Sequence, residues 1–223
     1  VDDLLFSFST DQVCLDFKHA LLTRFEGTDD GPVRCFVGID IKRDEFHTHL
    51  TQLPLTESLL VNFNMHDSNP VKTPMVPNTL LTPHVPGEDG DYGPAQDVKR
   101  YQELVGTLIY LTIWTRPDLS FAANQLAKFG TNPHKKHWDA ARRVLRYLKG
   151  TKHLGITYSR TNIDPNTLIA FADADWAACT ETRRSTSGYV GLLNGGAVHW
   201  RSRKQTSVAT STAEAEYVSA SRA

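Results

Sequence analysis

The sequence predicts an α+β chain, and three observations carry that prediction. Apolar residues between 100 and 152 recur at helical spacing, whereas from 156 onward the apolar period is two. Six of the eleven prolines crowd between His66 and Gln96, with Gly87, Gly90 and Gly93 among them. Charge changes sign across that stretch. Residues 1–98 hold 6 Lys/Arg against 16 Asp/Glu, a balance of −10, while residues 99–223 hold 18 against 9, a balance of +9. The formal net charge of −1 over 223 residues conceals this split. Asymmetry of this kind points to a nucleic-acid or other acidic partner for the basic half. With 40% hydrophobic and 22% charged residues, the chain as a whole is not disordered.

The elements follow in order. Asp11 is a candidate cap for a helix reaching about Glu26, with Val13, Phe17, Leu21 and Phe25 as one apolar stripe. Asp29-Asp30-Gly31-Pro32 reads as a turn and Val33–Lys42 as one strand. A short helix is expected over Leu55–Phe63. The proline-rich stretch reads as an extended linker and as the domain boundary. Three helices should follow. The first carries Tyr101, Leu104, Val105, Leu108 and Leu111; the second runs from Pro117-Asp118 to Gly130. The third runs from about His134 to Lys149 with Trp138, Ala141, Leu145 and Leu148 on one face. Leu168–Asp173, Gly188–Leu193 and Ala197–Ser202 read as strands, the last two joined by a type I′ turn at Asn194-Gly195. Thr210 or Ser211 then caps a final helix.

Several classes fall away. The longest apolar run, near Leu104–Trp114, is broken by Gly106 and two threonines, far short of the ~20 residues a bilayer span needs. Val-Asp-Asp at the start lacks the basic region of a signal peptide. Cys14, Cys35 and Cys179 are odd in number and far apart, which fits a reducing compartment, cytosol or nucleus. His47 and His49 share a strand face, and His134 and His137 sit three apart on the basic helix; surface placement is expected for both pairs.

Carboxylates and a basic face are the candidates for chemistry. Asp173, with Asp175 two residues on, ends a strand; Glu216, with Glu214 two residues earlier, opens a helix. Hard oxygen ligands of this kind suit Mg²⁺, which activates water in phosphodiester cleavage. On pattern alone, solvated acids are the more economical reading. Asp2-Asp3 offers an adjacent acid pair, a weak signal by itself. Lys135, Arg142, Arg146 and Lys149 line one face of the third helix, and residues 99–153 carry 11 Lys/Arg against 3 Asp/Glu. A face of that kind releases counterions from a phosphate backbone.

At this point longer motifs speak. Phe171-Ala-Asp-Ala-Asp-Trp-Ala177, Arg183-Arg-Ser-Thr-Ser-Gly-Tyr-Val190, Trp200, Lys204-Gln205 and Thr212-Ala-Glu-Ala-Glu-Tyr217 together resemble the ribonuclease H domain of copia-type retrotransposon polyproteins. Upstream, Tyr101-Gln-Glu-Leu-Val-Gly-Thr-Leu-Ile-Tyr-Leu111, Thr115-Arg-Pro-Asp-Leu119 and Val144-Leu-Arg-Tyr-Leu-Lys-Gly-Thr151 are similar to that family's link between reverse transcriptase and ribonuclease H. Val1-Asp2-Asp3 resembles the end of the polymerase YVDD box, and Phe36-Val-Gly-Ile39 and Pro70-Val-Lys-Thr-Pro-Met75 also fit.

The resemblance implies a division into four. Residues 1–65 would end the reverse transcriptase palm and thumb, and 66–98 would be the linker. Residues 99–155 would be the basic helical connection, and 156–223 a truncated ribonuclease H domain with a three-stranded sheet plus helix. It implies that Asp2 and Asp3 bind polymerase metal and that Asp173 and Glu216 are the first two ribonuclease H carboxylates. Asp175 and Glu214 belong to the same motifs but rank behind Asp173 and Glu216 as ligands, and the family's third and fourth carboxylates lie outside this sequence. Implied cofactors are Mg²⁺ or Mn²⁺; implied partners are an RNA/DNA hybrid, RNA template, DNA and the rest of the polyprotein, with no membrane. The implied location is a cytoplasmic virus-like particle, the nucleus, or both. The chain is expected to be a middle cut of a longer protein and inactive alone. Two rivals remain: a non-enzymatic remnant that binds nucleic acid through its basic helices, and an integrase-like nuclease.

Overall fold

A computed structural model describes residues 3–77, 79, 81–83, 97–159, 167–177, 179 and 182–223. The order is α1 (Asp11–Arg24), β1 (Cys35–Phe36), β2 (Ile39–Arg43), β3 (His47–Thr51) and α2 (Leu53–Asn62). Then come α3 (Val98–Trp114), a 3-10 turn (Pro117–Leu119), α4 (Ser120–Ala127) and α5 (Lys135–Gly150). Last are β4 (Ile156–Ser159), β5 (Ile169–Ala174), β6 (Thr186–Leu193), β7 (Gly196–Lys204) and α6 (Thr212–Ala220). The strands form two antiparallel sheets, β1-β2-β3-β4 and β5-β6-β7. The chain is therefore α+β, and its C-terminal part is the expected three-stranded sheet plus helix.

One core joins α2, α3, α4 and α5. Leu59 and Leu60 of α2 are buried with Tyr101, Leu104, Leu108 and Leu111 of α3, Leu126 of α4, and Trp138, Val144, Leu145 and Leu148 of α5. The apolar positions fall three and four apart, so each helix turns one stripe inward. The Tyr101 hydroxyl donates to the Leu126 carbonyl at 3.0 Å, and burial pushes its pKa up. Because α2 shares this core, the expected boundary at 66–98 does not separate two cores. The described part of the linker, from residue 66 to 83, lies along α5 instead.

Four local expectations are corrected. Thr10, not Asp11, caps α1, accepting the Val13 N–H. The α1 stripe is not buried: Val13, Phe17 and Phe25 are exposed, and Phe6 and Phe8 pack on Phe17. Val33–Lys42 is not one strand, because Val37 and Gly38 both take positive φ (48° and 70°) and make a hairpin turn. The alternating pattern runs straight through that turn and hides it. Tyr110 of α3 donates to the Val37 carbonyl at 2.7 Å and holds the turn in place. Finally, His134 and His137 are buried. His137 stacks on Phe129 at 3.9 Å and its Nδ1 accepts the His134 N–H, which leaves Nε2–H to donate to the Thr82 carbonyl.

β4 also departs from expectation. It falls in the stretch 156–223 assigned to the nuclease start, yet it pairs with β3, with His49 opposite Thr157. Gly155 permits the approach, since a Cβ there would sit 2.0 Å from the Leu50 carbonyl oxygen. β4 also touches the second sheet: Tyr158 donates to the Ala197 carbonyl at 2.7 Å, and the Ser159 N–H to the Asn194 carbonyl at 2.8 Å. Asn194 and Gly195 have φ of 52° and 77°, the expected I′ turn.

Candidate active site

The second sheet is seated on the helices by two hydrogen bonds. The Trp200 indole donates to the Thr112 carbonyl at 2.6 Å, and the Asn124 amide to the Ser202 carbonyl at 2.7 Å. Between them opens a cleft of about 610 Å³, lined in part by Asp118, Phe121, Phe171, Asp173, Asp175 and Trp200. Asp173 stands on β5 opposite Gly188, so β6 places no side chain beside it. The carboxylate is exposed.

Glu216 stands on α6, also exposed. That helix is held by buried polar groups. Ser219 Oγ lies 2.7 Å from the Asp173 carbonyl oxygen and 3.2 Å from that of Gly188. The Gln205 amide donates to Ser187 Oγ and to the Ala215 carbonyl, both at 2.9 Å. The strand carrying Asp173 and the helix carrying Glu216 are thereby fastened together.

The four acids separate by what they bind. Asp175 accepts the Thr186 N–H through its side chain. Glu214 Oε2 accepts the Thr210 N–H and hydroxyl, each at 2.7 Å, while Ser211 Oγ accepts the Glu214 N–H at 3.1 Å. Ser211 thus caps the helix while Glu214 reaches back past it to Thr210, and the Thr210 backbone bond is the first cause holding the Glu214 carboxyl below its ordinary range. Asp173 and Glu216 have no such commitments among the described residues. They fit Mg²⁺ or Mn²⁺ as uncommitted hard oxygen donors. They do not form a three-ligand cluster with a further acid: among the described residues the one such cluster is Asp44, His47 and His49. Asp3 is exposed ahead of α1, and Asp2 lies outside the described residues.

The basic face is largely engaged. Arg146 Nε donates to the Asn69 carbonyl at 2.7 Å, and Lys149 Nζ to that of His66. Arg143 reaches Thr73 Oγ1 at 2.9 Å and Lys136 reaches Thr82 Oγ1 at 3.0 Å. Lys135 and Arg142 both pair with Asp139, at 2.8 and 3.1 Å. An extended segment without a ladder leaves its carbonyls needing donors, and α5 supplies them. Carbonyls and hydroxyls are neutral, so Arg146, Lys149, Arg143 and Lys136 keep their positive field.

Sequence reasoning missed one feature beside the cleft. Arg116 is 2% exposed and grips Asp118 through Nε at 2.9 Å and through Nη2 at 2.7 Å. It also donates to the Thr151 carbonyl and hydroxyl at 3.0 and 2.8 Å, and Tyr147 donates to Asp118 at 2.9 Å. Burial is the first cause raising the Tyr147 pKa, and the neighbouring Asp118 adds to it. Arg116-Pro117-Asp118 was visible as a motif, but nothing local announces that its arginine is buried.

Comparison with known proteins completes the picture. The chain is 41% identical over 97% of its length to the retrovirus-related Pol polyprotein from transposon RE2 of Arabidopsis thaliana, and covers 14% of that protein. The chain belongs to the copia-type retrotransposon Pol polyprotein family. This Pol segment spans about a seventh of that relative. It is also 36% identical over 97% of its length to an uncharacterized mitochondrial protein of Arabidopsis thaliana, 86% of which it covers. Over 55% of its length it is 47% identical to secreted RxLR effector protein 161 of Plasmopara viticola, covering 85% of that protein. No protein-family model and no solved structure matches the Pol segment.

Proposed function

We propose that this Pol segment belongs to the part of the polyprotein that synthesises DNA on RNA and removes RNA from the resulting hybrid. Asp173 and Glu216 are the first two metal ligands of the ribonuclease H site, and Asp2 and Asp3 are those of the polymerase. The single observation that carries this is the sorting of the acids: Asp175 and Glu214 are tied to local N–H groups, whereas Asp173 and Glu216 are free to bind metal. Bound Mg²⁺ or Mn²⁺ would activate water for attack on the phosphodiester. Asp173 and Glu216 would hold the ion, Ser219 and Gln205 would hold their elements in register, and the field of α5 would draw the hybrid backbone by charge and shape. A virus-like particle in the cytoplasm, or the nucleus, is the setting this reading entails. By themselves the 223 residues do not cleave, since two carboxylates do not position two ions.

The test uses a longer polyprotein product that includes this segment, with Mg²⁺ and a labelled RNA/DNA hybrid. Asp173→Asn and Glu216→Gln should each abolish cleavage. Retention of cleavage in both sinks the proposal, as does robust cleavage by the 223-residue chain.

A second reading has its own support. Two relatives are themselves about the size of the stretch they share with this chain. A stretch of this kind therefore also exists as a separate protein. In that reading the basic helices bind nucleic acid without chemistry. Fluorescence anisotropy with a hybrid, compared across salt concentrations, separates it: salt-dependent binding with no cleavage in any longer product favours the remnant.

A further inference from the structure

The turn between β2 and β3 carries a second cluster, remote in the sequence from the acids above. His47 Nδ1 lies 3.3 Å from Asp44 Oδ1, and His49 Nε2 lies 3.2 Å from Asp44 Oδ2. One ligand atom from each of the three residues falls within 4.8 Å of the others. We propose that Asp44, His47 and His49 form a binding site for Zn²⁺, with positions left open to water. The proposal is independent of the hybrid-cleavage reading.

Four features support it. The first is distance. Zn–N and Zn–O bonds of about 2.0–2.2 Å at tetrahedral angles put neighbouring ligand atoms about 3.4 Å apart. The two carboxylate–imidazole separations are already close to that. The second is preparation of the carboxylate. Asp44 Oδ1 accepts the Phe46 and His47 N–H groups at 2.8 and 2.7 Å, which fixes its direction.

Third, His49 is oriented from behind. Its Nδ1 lies 2.9 Å from Thr157 Oγ1 on β4, 108 residues away. A hydroxyl accepts or donates, so it serves the tautomer in which Nε2 carries the metal. Outer partners of this kind set ring direction and ligand basicity. Fourth, the cluster is reachable: side chains of Asp44, His47 and His49 are 53%, 43% and 38% exposed. Imidazole with one carboxylate suits zinc and disfavours Mg²⁺, which takes oxygen. The opposing influence is Lys42, the partner of His49 across β2, whose charge shares this face. A bound ion would tie the β2–β3 turn to β4 through His49 and Thr157.

Isothermal titration calorimetry of the whole chain with ZnCl₂ is the test, with MgCl₂ as comparison. One Zn²⁺ per chain should bind saturably and raise the thermal midpoint, as any ligand of the folded state does. His47→Ala and His49→Gln should each remove that binding. Thr157→Val, which touches no ligand atom, should weaken it by about tenfold or more, while His66→Ala leaves it unchanged. Circular dichroism checks that each variant is folded. Absence of saturable Zn²⁺ binding, or the same affinity in folded His47→Ala and His49→Gln, overturns the proposal.

Discussion

The hydroxyl of Ser219 lies 2.7 Å from the backbone carbonyl oxygen of Asp173, and Ser219 is fully buried. The helix that bears Glu216 thus hangs from the strand that bears Asp173. Only a small side chain fits between the two elements. Ser219→Ala should cost about 1 kcal/mol, the net worth of one hydrogen bond. Ser219→Leu should cost about 1–3 kcal/mol through overpacking. Urea denaturation measures both, and unchanged midpoints in the two variants would show that α6 is not held this way.

Arg116 offers a sharper case. Its guanidinium is 2% exposed and its counter-charge, Asp118, has a side chain 35% exposed. Removing one partner of a buried pair strands the other. Asp118→Asn leaves the cation without an anion, and the partial exposure of Asp118 reduces the penalty. A loss of about 2–3 kcal/mol is expected. Arg116→Lys should not rescue stability, because an ammonium cannot match the two-pronged contact with Asp118 while reaching Thr151. A lysine variant as stable as the parent would refute the forked geometry.

Long helices and the final hairpin were legible because their signals are local. Stripes at 101–111 and 138–148, and Asn194-Gly195, each state their structure within a few residues. What stayed hidden depends on partners distant in sequence. Val37-Gly38 turns inside an unbroken apolar alternation, and Tyr110, 73 residues on, helps to hold it. β4 pairs with β3 across the whole helical core, and no local pattern names that partner. At the candidate site the acids were visible as residue types. Their sorting came only through the family resemblance, and its physical basis, the Asp175 bond to the Thr186 N–H and the Glu214 bonds to Thr210, needed the fold. Likewise the basic stripe of α5 is visible in the sequence, but its engagement with His66, Asn69, Thr73 and Thr82 depends on the fold.

That engagement makes a prediction of its own. Arg146 binds the Asn69 carbonyl whereas Arg142 pairs with Asp139 on its own helix. Arg146→Ala should free the segment around Asn69 and speed limited proteolysis there. Arg142→Ala should leave the cleavage pattern as it was. Equal proteolysis in the two variants, read by mass spectrometry of the fragments, would mean that α5 does not hold this segment.

Gly155 sets the close approach of the α5 exit to β3. An added Cβ would meet the Leu50 carbonyl oxygen at 2.0 Å and the Thr51 side chain at 2.9 Å. The obstacle is backbone already bound in a ladder, so it does not swing aside. Gly155→Ala should destabilise by about 1–3 kcal/mol. Gly106 faces open space in the middle of α3. Gly106→Ala should therefore stabilise by up to about 1 kcal/mol through helix propensity. Opposite signs in a thermal melt confirm the contrast.

Asp44 supplies the last prediction, on pH. The backbone N–H of Phe46, then that of His47 and the His49 ring, draw its pKa from 3.8 to about 2. A carboxyl whose folded pKa lies below its unfolded value stabilises the fold only while ionised. Its contribution is complete above the unfolded value, and falls away as pH drops from about 4 toward 2. Asp44→Asn keeps the turn's acceptor but removes the titration. The contribution of the Asp44 charge to the difference between parent and variant should therefore be present in full at pH 5 in a metal-free buffer. The difference should shrink between pH 4 and pH 2. A gap that stays constant down to pH 2 in urea midpoints would show that the turn draws nothing from the charge of Asp44.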